Sequence, residues 1–241
     1  MEIIKKHNHN KKRVYESNVK LHTKNLVFQN FGNASGRNDN FCLIKPSGVK
    51  INKINISSIV SVGLDRKTFN DKNQLKPSSD TPTHIELYNE FNEIGGIVHT
   101  HSPYATAWAQ SGLPIPCYGT THADYWENNI PITRELNDYE IKSCYEKNIG
   151  KIIVETLKKS LVSPLKCPGI LVRNHGPFTW GSTIEEAVKY AEIIEYISKT
   201  AYLSVNLSTN TKPISKTLAK KHFSRKHGKE SYYGQENDKI S

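Results

Sequence analysis

The pattern of apolar and polar positions divides the chain into short β-like runs and longer helical stretches. The first ten residues or so are polar and expected to be frayed, and a helix is expected from there to about Leu26. "LVFQNFGNASGRNDNFCLIKPSGVKI", residues 26–51, reads as two short strands, because β-branched and aromatic runs alternate there with Gly- and Asn-rich turn formers. "IVSVGL", residues 59–64, fits a further strand. "LKPSSDTPTHIELYNEF" opens a helix for which Thr81 can cap and Pro82 suits the first helical position, with Ile85, Tyr88 and Phe91 recurring on one face.

"GGIVHTH", residues 95–101, is a strand bounded by glycine, and "SPYATAWAQSG" is a short helix ended by Gly112. "DYEIKSCYEKNIGKIIVETLKKSL" is helical for most of its length, and "GILVRNHGPFTWG" is a buried strand, a turn and a second apolar piece. The clearest helix begins at "STIEEAV", where Ser182 and Glu185 form a capping box pattern. Ile184, Val188, Ala191, Ile194, Ile197 and Ala201 then keep a helical period. No repeat or low-complexity linker interrupts the chain, so one α/β domain spanning 1–241 is expected, with basic ends at about 1–12 and 226–241.

Composition changes this picture little. Of the 241 residues, 36% are hydrophobic and 23% charged, which describes a soluble globular chain large enough to bury one sizeable core. The formal charge of +10 suggests a polyanion partner until it is mapped: residues 1–24 and 212–241 each carry net +5, and the remainder balances. No RNA-binding aromatic signature or zinc-finger spacing accompanies those ends, so nucleic acid is not expected as the main partner. Cys42, Cys117, Cys144 and Cys167 are far apart with no C-x-x-C pair, which fits free thiols. No secretory segment or membrane-length apolar run is present, so the cytoplasm is the expected compartment and no membrane partner is expected.

The histidines change it more. Side chains in a strand alternate faces, so His99 and His101 should point the same way with Cα atoms about 6.6 Å apart. The pair alone leaves a metal site and ordinary structural histidines equally open. His175 in "LVRNHGPF" stands at another strand end before a Gly-Pro turn and is the candidate third ligand. Three histidines with one position open is the pattern of catalytic rather than structural zinc, which suits polarisation of a carbonyl or enediolate oxygen. A metallo-hydrolase would need an Asp and another His soon after the pair, and a cupin a nearby Glu; "HTHSPYA" has neither. "GN" at 32–33, "KPSG" at 45–48 and "PSSDTPTH" at 77–84 combine Lys, Ser hydroxyls, Gly and a helix start, which can hold a phosphate monoester but also make ordinary turns.

Taken in order, "GNASGR", "IKPSGV", "KPSSDTPTH", "GGIVHTHSPYATAWAQ", "GTTHADYW", "IPITR", "NHGPFTWG" and "LAKKHFSRKHGKESYYGQ" closely resemble the class II aldolase and adducin-head family, and within it the L-ribulose-5-phosphate 4-epimerase branch. The resemblance runs from about Leu26 to Gln235. It implies a single three-layer α/β/α domain with a central, largely antiparallel sheet. It also implies a homotetramer with active sites at subunit interfaces, and one Zn²⁺ per subunit on His99, His101, His175 and Asp80. Related aldolases carry Glu at the place of Asp80, where it serves as the base, so Asp favours the epimerase.

Substrate contacts carry over to Gly32, Asn33, Ser47, Gly48, Ser78 and Ser79, and Lys45 is added as a nearby cation. The acid and base carry over to Asp124 and Tyr233, the latter reaching an adjacent subunit's site, with His222 matching another functional position. The implied reaction interconverts L-ribulose 5-phosphate and D-xylulose 5-phosphate by breaking and remaking the C3–C4 bond, because the C4 hydrogen is not next to the carbonyl. Such a step serves both L-arabinose and ascorbate utilisation. The alternatives are a class II sugar-phosphate aldolase and a non-catalytic adducin-head-like interaction module. Two departures from the family pattern stand out: Arg173 and Asn174 ahead of His175, which could alter charge beside the metal, and a short loop between Arg37 and Phe41.

Overall fold

The structure, a computed structural model, describes residues 2–67 and 75–227. The elements in chain order are α1 (Glu2–Thr23), β1 (Asn33–Asn38), β2 (Phe41–Ile44), β3 (Val60–Gly63), α2 (Thr81–Glu90), β4 (Gly96–His99), α3 (Pro103–Ser111), α4 (Thr120–Ala123), α5 (Asp138–Lys142), α6 (Tyr145–Ser160), β5 (Gly169–Val172), β6 (Gly176–Gly181), α7 (Ile184–Leu207) and α8 (Lys216–His227). The six strands form one sheet in the order β3-β2-β1-β4-β6-β5, and every neighbouring pair is antiparallel.

Alternation along the strands supplies both layers of core. Leu43, Val98 and Ala34 face α1 and the first half of α7, where Val14, Leu21, Ile184, Ala187, Val188 and Ala191 bury themselves. The opposite face carries Cys42, Ile44, Ile97, Phe178 and Trp180 against Ile85 and Tyr88 of α2 and Ile149, Ile152 and Ile153 of α6. Helices on both faces of an antiparallel sheet give the three-layer arrangement. Among the described residues no helix is long and apolar enough to cross a membrane. The cysteines are free, three buried and Cys144 exposed.

Three local expectations shift. The N-terminal helix begins at Glu2 instead of fraying through residue 10, because its first turns dock on the β1–β2 turn and β3: Lys6 Nζ lies 3.0 Å from Asp39 Oδ1, His7 Nε2 lies 3.1 Å from Ser61 Oγ, and Asn10 Nδ2 donates to Asn38 Oδ1. The cap of α7 is Thr183, whose hydroxyl accepts from Glu186 N–H, while the Glu186 carboxylate accepts from Ser182 N–H and Oγ. The cap is therefore one residue further along than the Ser182–Glu185 pattern, and Glu185 pairs with Arg13. The helical stretch after Asp138 breaks between Lys142 and Tyr145, where Asn148 Nδ2 donates to Glu140 O and to Ser143 Oγ.

The glycine pair at the start of β4 is a packing requirement. A Cβ on Gly96 would fall 2.2 Å from Ile184 Cα, so the start of α7 can cross β4 only over glycine. Gly96→Ala should lower the unfolding free energy by about 1–3 kcal/mol, the usual cost of forcing atoms into a packed contact; a denaturant titration showing no shift in midpoint would refute it.

Candidate metal centre and active site

The site is built where β1, β4 and β6 end side by side. His99 is the last residue of β4, paired with Asn33 on one side and Phe178 on the other, so all three side chains rise on the α2 face. The His99 ring stacks on Phe178 with centroids 4.2 Å apart, and its Nδ1 lies 3.0 Å from Pro177 O. His101 follows just beyond the strand, and His175 sits in the turn entering β6 after Asn174, which adopts φ 62°. His175 N–H donates to Val172 O. The alternation argument thus gives the right face for both members of the pair although the strand stops at the first.

The three imidazoles converge. Nε2 of His99 lies 3.0 Å from Nε2 of His101 and 3.0 Å from Nε2 of His175, and one nitrogen from each ring falls within 4.8 Å of the others. Ligand nitrogens around tetrahedral Zn²⁺, with bonds of roughly 2.0–2.1 Å, stand about 3.3 Å apart, so this donor set fits an ion of that size. Burial drives the His99 pKa well below 6.5, and the neighbouring His175 and His101 push it the same way. Burial also lowers His101 and His175, opposed in each by the negative Asp80. Neutral rings with lone pairs facing inward are the form that binds a metal.

Every other candidate on the substrate side lines the same cavity of about 250 Å³: Gly32, Asn33, Lys45, Ser47, Gly48, Ser78, Ser79 and Asp80. Asp80 occupies the N-cap position of α2 but makes no cap bond. Its Oδ2 instead accepts from Asn33 Nδ2 at 2.6 Å, and the converging nitrogens are those of the histidines alone. Thr81, expected to cap, is the first helical residue, and its hydroxyl donates to Ser78 O. Lys45 is buried with Nζ donating to Asn30 O at 3.1 Å; burial lowers its pKa, and Asp80 opposes the shift. Two residues beyond Asn33, Ser35 Oγ contacts His84 Nδ1 at 2.7 Å and the Tyr88 hydroxyl at 2.8 Å, which ties β1 to α2 beneath the cavity.

Asp124 and His222 lie elsewhere: among the described residues, neither lines that cavity. Asp124 ends α4 and is buried by α8. Its Oδ1 accepts from His222 Nδ1 and Arg225 Nε, both at 3.0 Å, its Oδ2 from Arg225 at 2.9 Å, and Lys226 Nζ is 3.5 Å away. Burial raises its pKa, but the hydrogen bonds from Arg225 and His222 and the charge of Lys226 outweigh that and hold it below the usual carboxylate value. Tyr233 lies outside the described residues. Arg173 and Asn174 turn toward Glu135, with Arg173 Nε 3.9 Å from its carboxylate and Asn174 Nδ2 donating at 3.1 Å.

Sequence reasoning missed the wall residues Asn30, Phe31, Tyr145 and Glu146. The Phe31 ring centroid is 5.8 Å from that of His101, and the Tyr145 hydroxyl is 3.4 Å from His175 Nδ1. Tyr145 reaches the site only because the helical stretch breaks just before it.

Residues 12–202 match the Class II Aldolase and Adducin N-terminal domain. The chain belongs to this family. Within reach of the class II aldolase and adducin family, two curated relatives are L-ribulose-5-phosphate 4-epimerase UlaF from Salmonella paratyphi A and from Salmonella typhi, each 44% identical over 227 residues that cover 93% of this chain and 98% of theirs. Solved structures share the fold at lower identity. An L-fuculose 1-phosphate aldolase superposes with TM-score 0.75 at 20% identity over 90% of this chain and 95% of its own, and the enzyme of that name from Glaciozyma antarctica PI12 with TM-score 0.74 at 17% identity over 92% and 83%.

Proposed function

We propose that this chain is a Zn²⁺-dependent L-ribulose-5-phosphate 4-epimerase, interconverting that sugar phosphate with D-xylulose 5-phosphate by breaking and remaking the C3–C4 bond. The observation that carries the reading is the convergence of three neutral imidazoles in one cavity with a buried lysine and two helix-start serines. The 44% identity to the curated epimerases across nearly the full length of both chains supports the same reaction.

His99, His101 and His175, with Asp80 beside them, would hold the ion. Bound there, Zn²⁺ supplies a Lewis acid for the negative charge that C3–C4 cleavage leaves on the ketose oxygens. Lys45 and the polar groups of Ser47, Gly48, Ser78 and Ser79 take the phosphate, with Gly32 and Asn33 closing the near side. Anchoring that end keeps the aldehyde fragment in place while it turns its other face.

Cleavage takes a proton from the C4 hydroxyl, and re-addition returns one to an oxygen that points elsewhere, so two groups on opposite sides are needed. Asp124 and Tyr233 fill those roles, with His222 hydrogen-bonded to Asp124. That Asp124 does not line its own chain's cavity supports a site shared between subunits of a homotetramer. The test is direct: purified protein with Zn²⁺ and L-ribulose 5-phosphate should yield D-xylulose 5-phosphate. Accumulation of free glycolaldehyde phosphate and dihydroxyacetone would mark an aldolase instead, and no turnover by metal-loaded protein would reject both.

A further inference from the structure

We infer that Tyr145 is a positioning residue for the metal centre, its hydroxyl holding the His175 ring with Nδ1 protonated so that Nε2 presents its lone pair to the point shared with His99 and His101. The inference rests on reading the three histidines as a metal site.

An imidazole that ligates through one nitrogen needs its other N–H engaged, since that bond fixes both ring orientation and tautomer. For His99 the partner is Pro177 O at 3.0 Å. For His175 it is the Tyr145 hydroxyl, 3.4 Å from Nδ1, with the two rings parallel to within 7° and centroids 6.4 Å apart. At that length the contact is at the weak end for a hydrogen bond, and the parallel rings add a second restraint on the same histidine. With Nε2 turned to the cluster, Nδ1 carries the hydrogen and donates it to the phenolic oxygen.

The backbone under Tyr145 is fixed for this purpose. Tyr145 is the first residue of α6, and the Thr83 hydroxyl donates to Glu146 O at 2.5 Å, tying that turn to the helix that follows Asp80. On the other side Asn148 Nδ2 holds the break through Glu140 O and Ser143 Oγ. Core packing does not account for the side chain, which is 37% exposed while lining the cavity.

The experiment compares wild type, Tyr145→Phe and Tyr145→Leu by Zn²⁺ competition with a chromophoric chelator and by the visible spectrum of the Co²⁺-substituted protein. Tyr145→Phe keeps the ring and removes only the hydroxyl. It should bind Zn²⁺ roughly tenfold more weakly or worse and shift the Co²⁺ bands, with the unfolding midpoint of the metal-free protein unchanged. A dissociation constant and spectrum equal to wild type would overturn the inference, and so would weakening seen in Tyr145→Leu alone, which would assign the effect to ring packing. Wild-type protein that binds no Zn²⁺ would overturn the metal reading itself, a result distinct from either.

Discussion

Replacing His101 by alanine should weaken Zn²⁺ binding by roughly two hundredfold and remove the epimerase activity with it. The figure follows from sharing a binding free energy of about 10 kcal/mol among three imidazoles, which leaves ~3 kcal/mol for each. His101 is the better choice than His99 for this experiment. His99 is fully buried, stacked on Phe178 and bonded to Pro177 O, so its truncation adds a cavity and an orphaned carbonyl; such losses destabilise by about 2–5 kcal/mol before any metal is considered. His101 stands beyond the strand end and is only partly buried, so His101→Ala should keep the unfolding midpoint of the metal-free protein while losing the ion. The pH dependence has a fixed sign. All three histidines have pKa values held below 6.5, so protons do not compete at neutral pH, and the metal should be released only as pH falls below 6.5. Full metal occupancy and activity in His101→Ala would remove this residue from the centre.

Much of the fold could be read from the alternation itself, because a period of two with one face buried leaves little choice of register. Val98 and His99 went to opposite faces as the pattern required, and the antiparallel neighbours then put Asn33 and Phe178 beside His99. Local polar signals were less faithful. The pattern at Ser182 and Glu185 satisfies the capping rule, yet Thr183 caps the helix one residue later and Glu185 pairs with Arg13 on α1, a partner 172 positions away. Asp80 stands at a cap position and would ordinarily serve the helix; its carboxylate instead accepts from Asn33 in the cavity.

The grouping of the polar stretches was legible for a different reason. "GN", "KPSG" and "PSSD" hold too few apolar residues to enter the core, and strand ends are where an α/β sheet leaves room for them. Tyr145 carried no comparable signal. Its segment reads as helix for most of its length with no place marked for a break, and the break held by Asn148 comes just before the side chain that meets His175. A contact that depends on where a helix is interrupted is set by tertiary hydrogen bonds that the one-dimensional pattern does not contain.

Asp124→Asn should lower kcat by about 10²–10⁴-fold, the range for removing a positioned proton-transfer group, while leaving Zn²⁺ affinity unchanged. The second half follows from the donor set, since Asp124 is not among the groups that converge where the three histidines meet. The first half has a structural rival, because the same carboxylate docks α8 through Arg225, Lys226 and His222. An amide there leaves partly buried cations without a counter-charge, a loss of about 1–3 kcal/mol after allowing for their residual contact with water. Arg225→Gln separates the two explanations. It removes the bidentate pair that anchors α8 but leaves Asp124 able to take and return a proton. If Asp124 works as an acid and base, Asp124→Asn should cost far more kcat than Arg225→Gln at equal loss of stability. Releasing the carboxylate from Arg225 should also raise its pKa toward the ordinary value, so the acid limb of the Arg225→Gln rate profile should move to higher pH. Equal losses in the two variants, with no movement of that limb, would make Asp124 an anchor for α8 and leave the proton transfers to other groups.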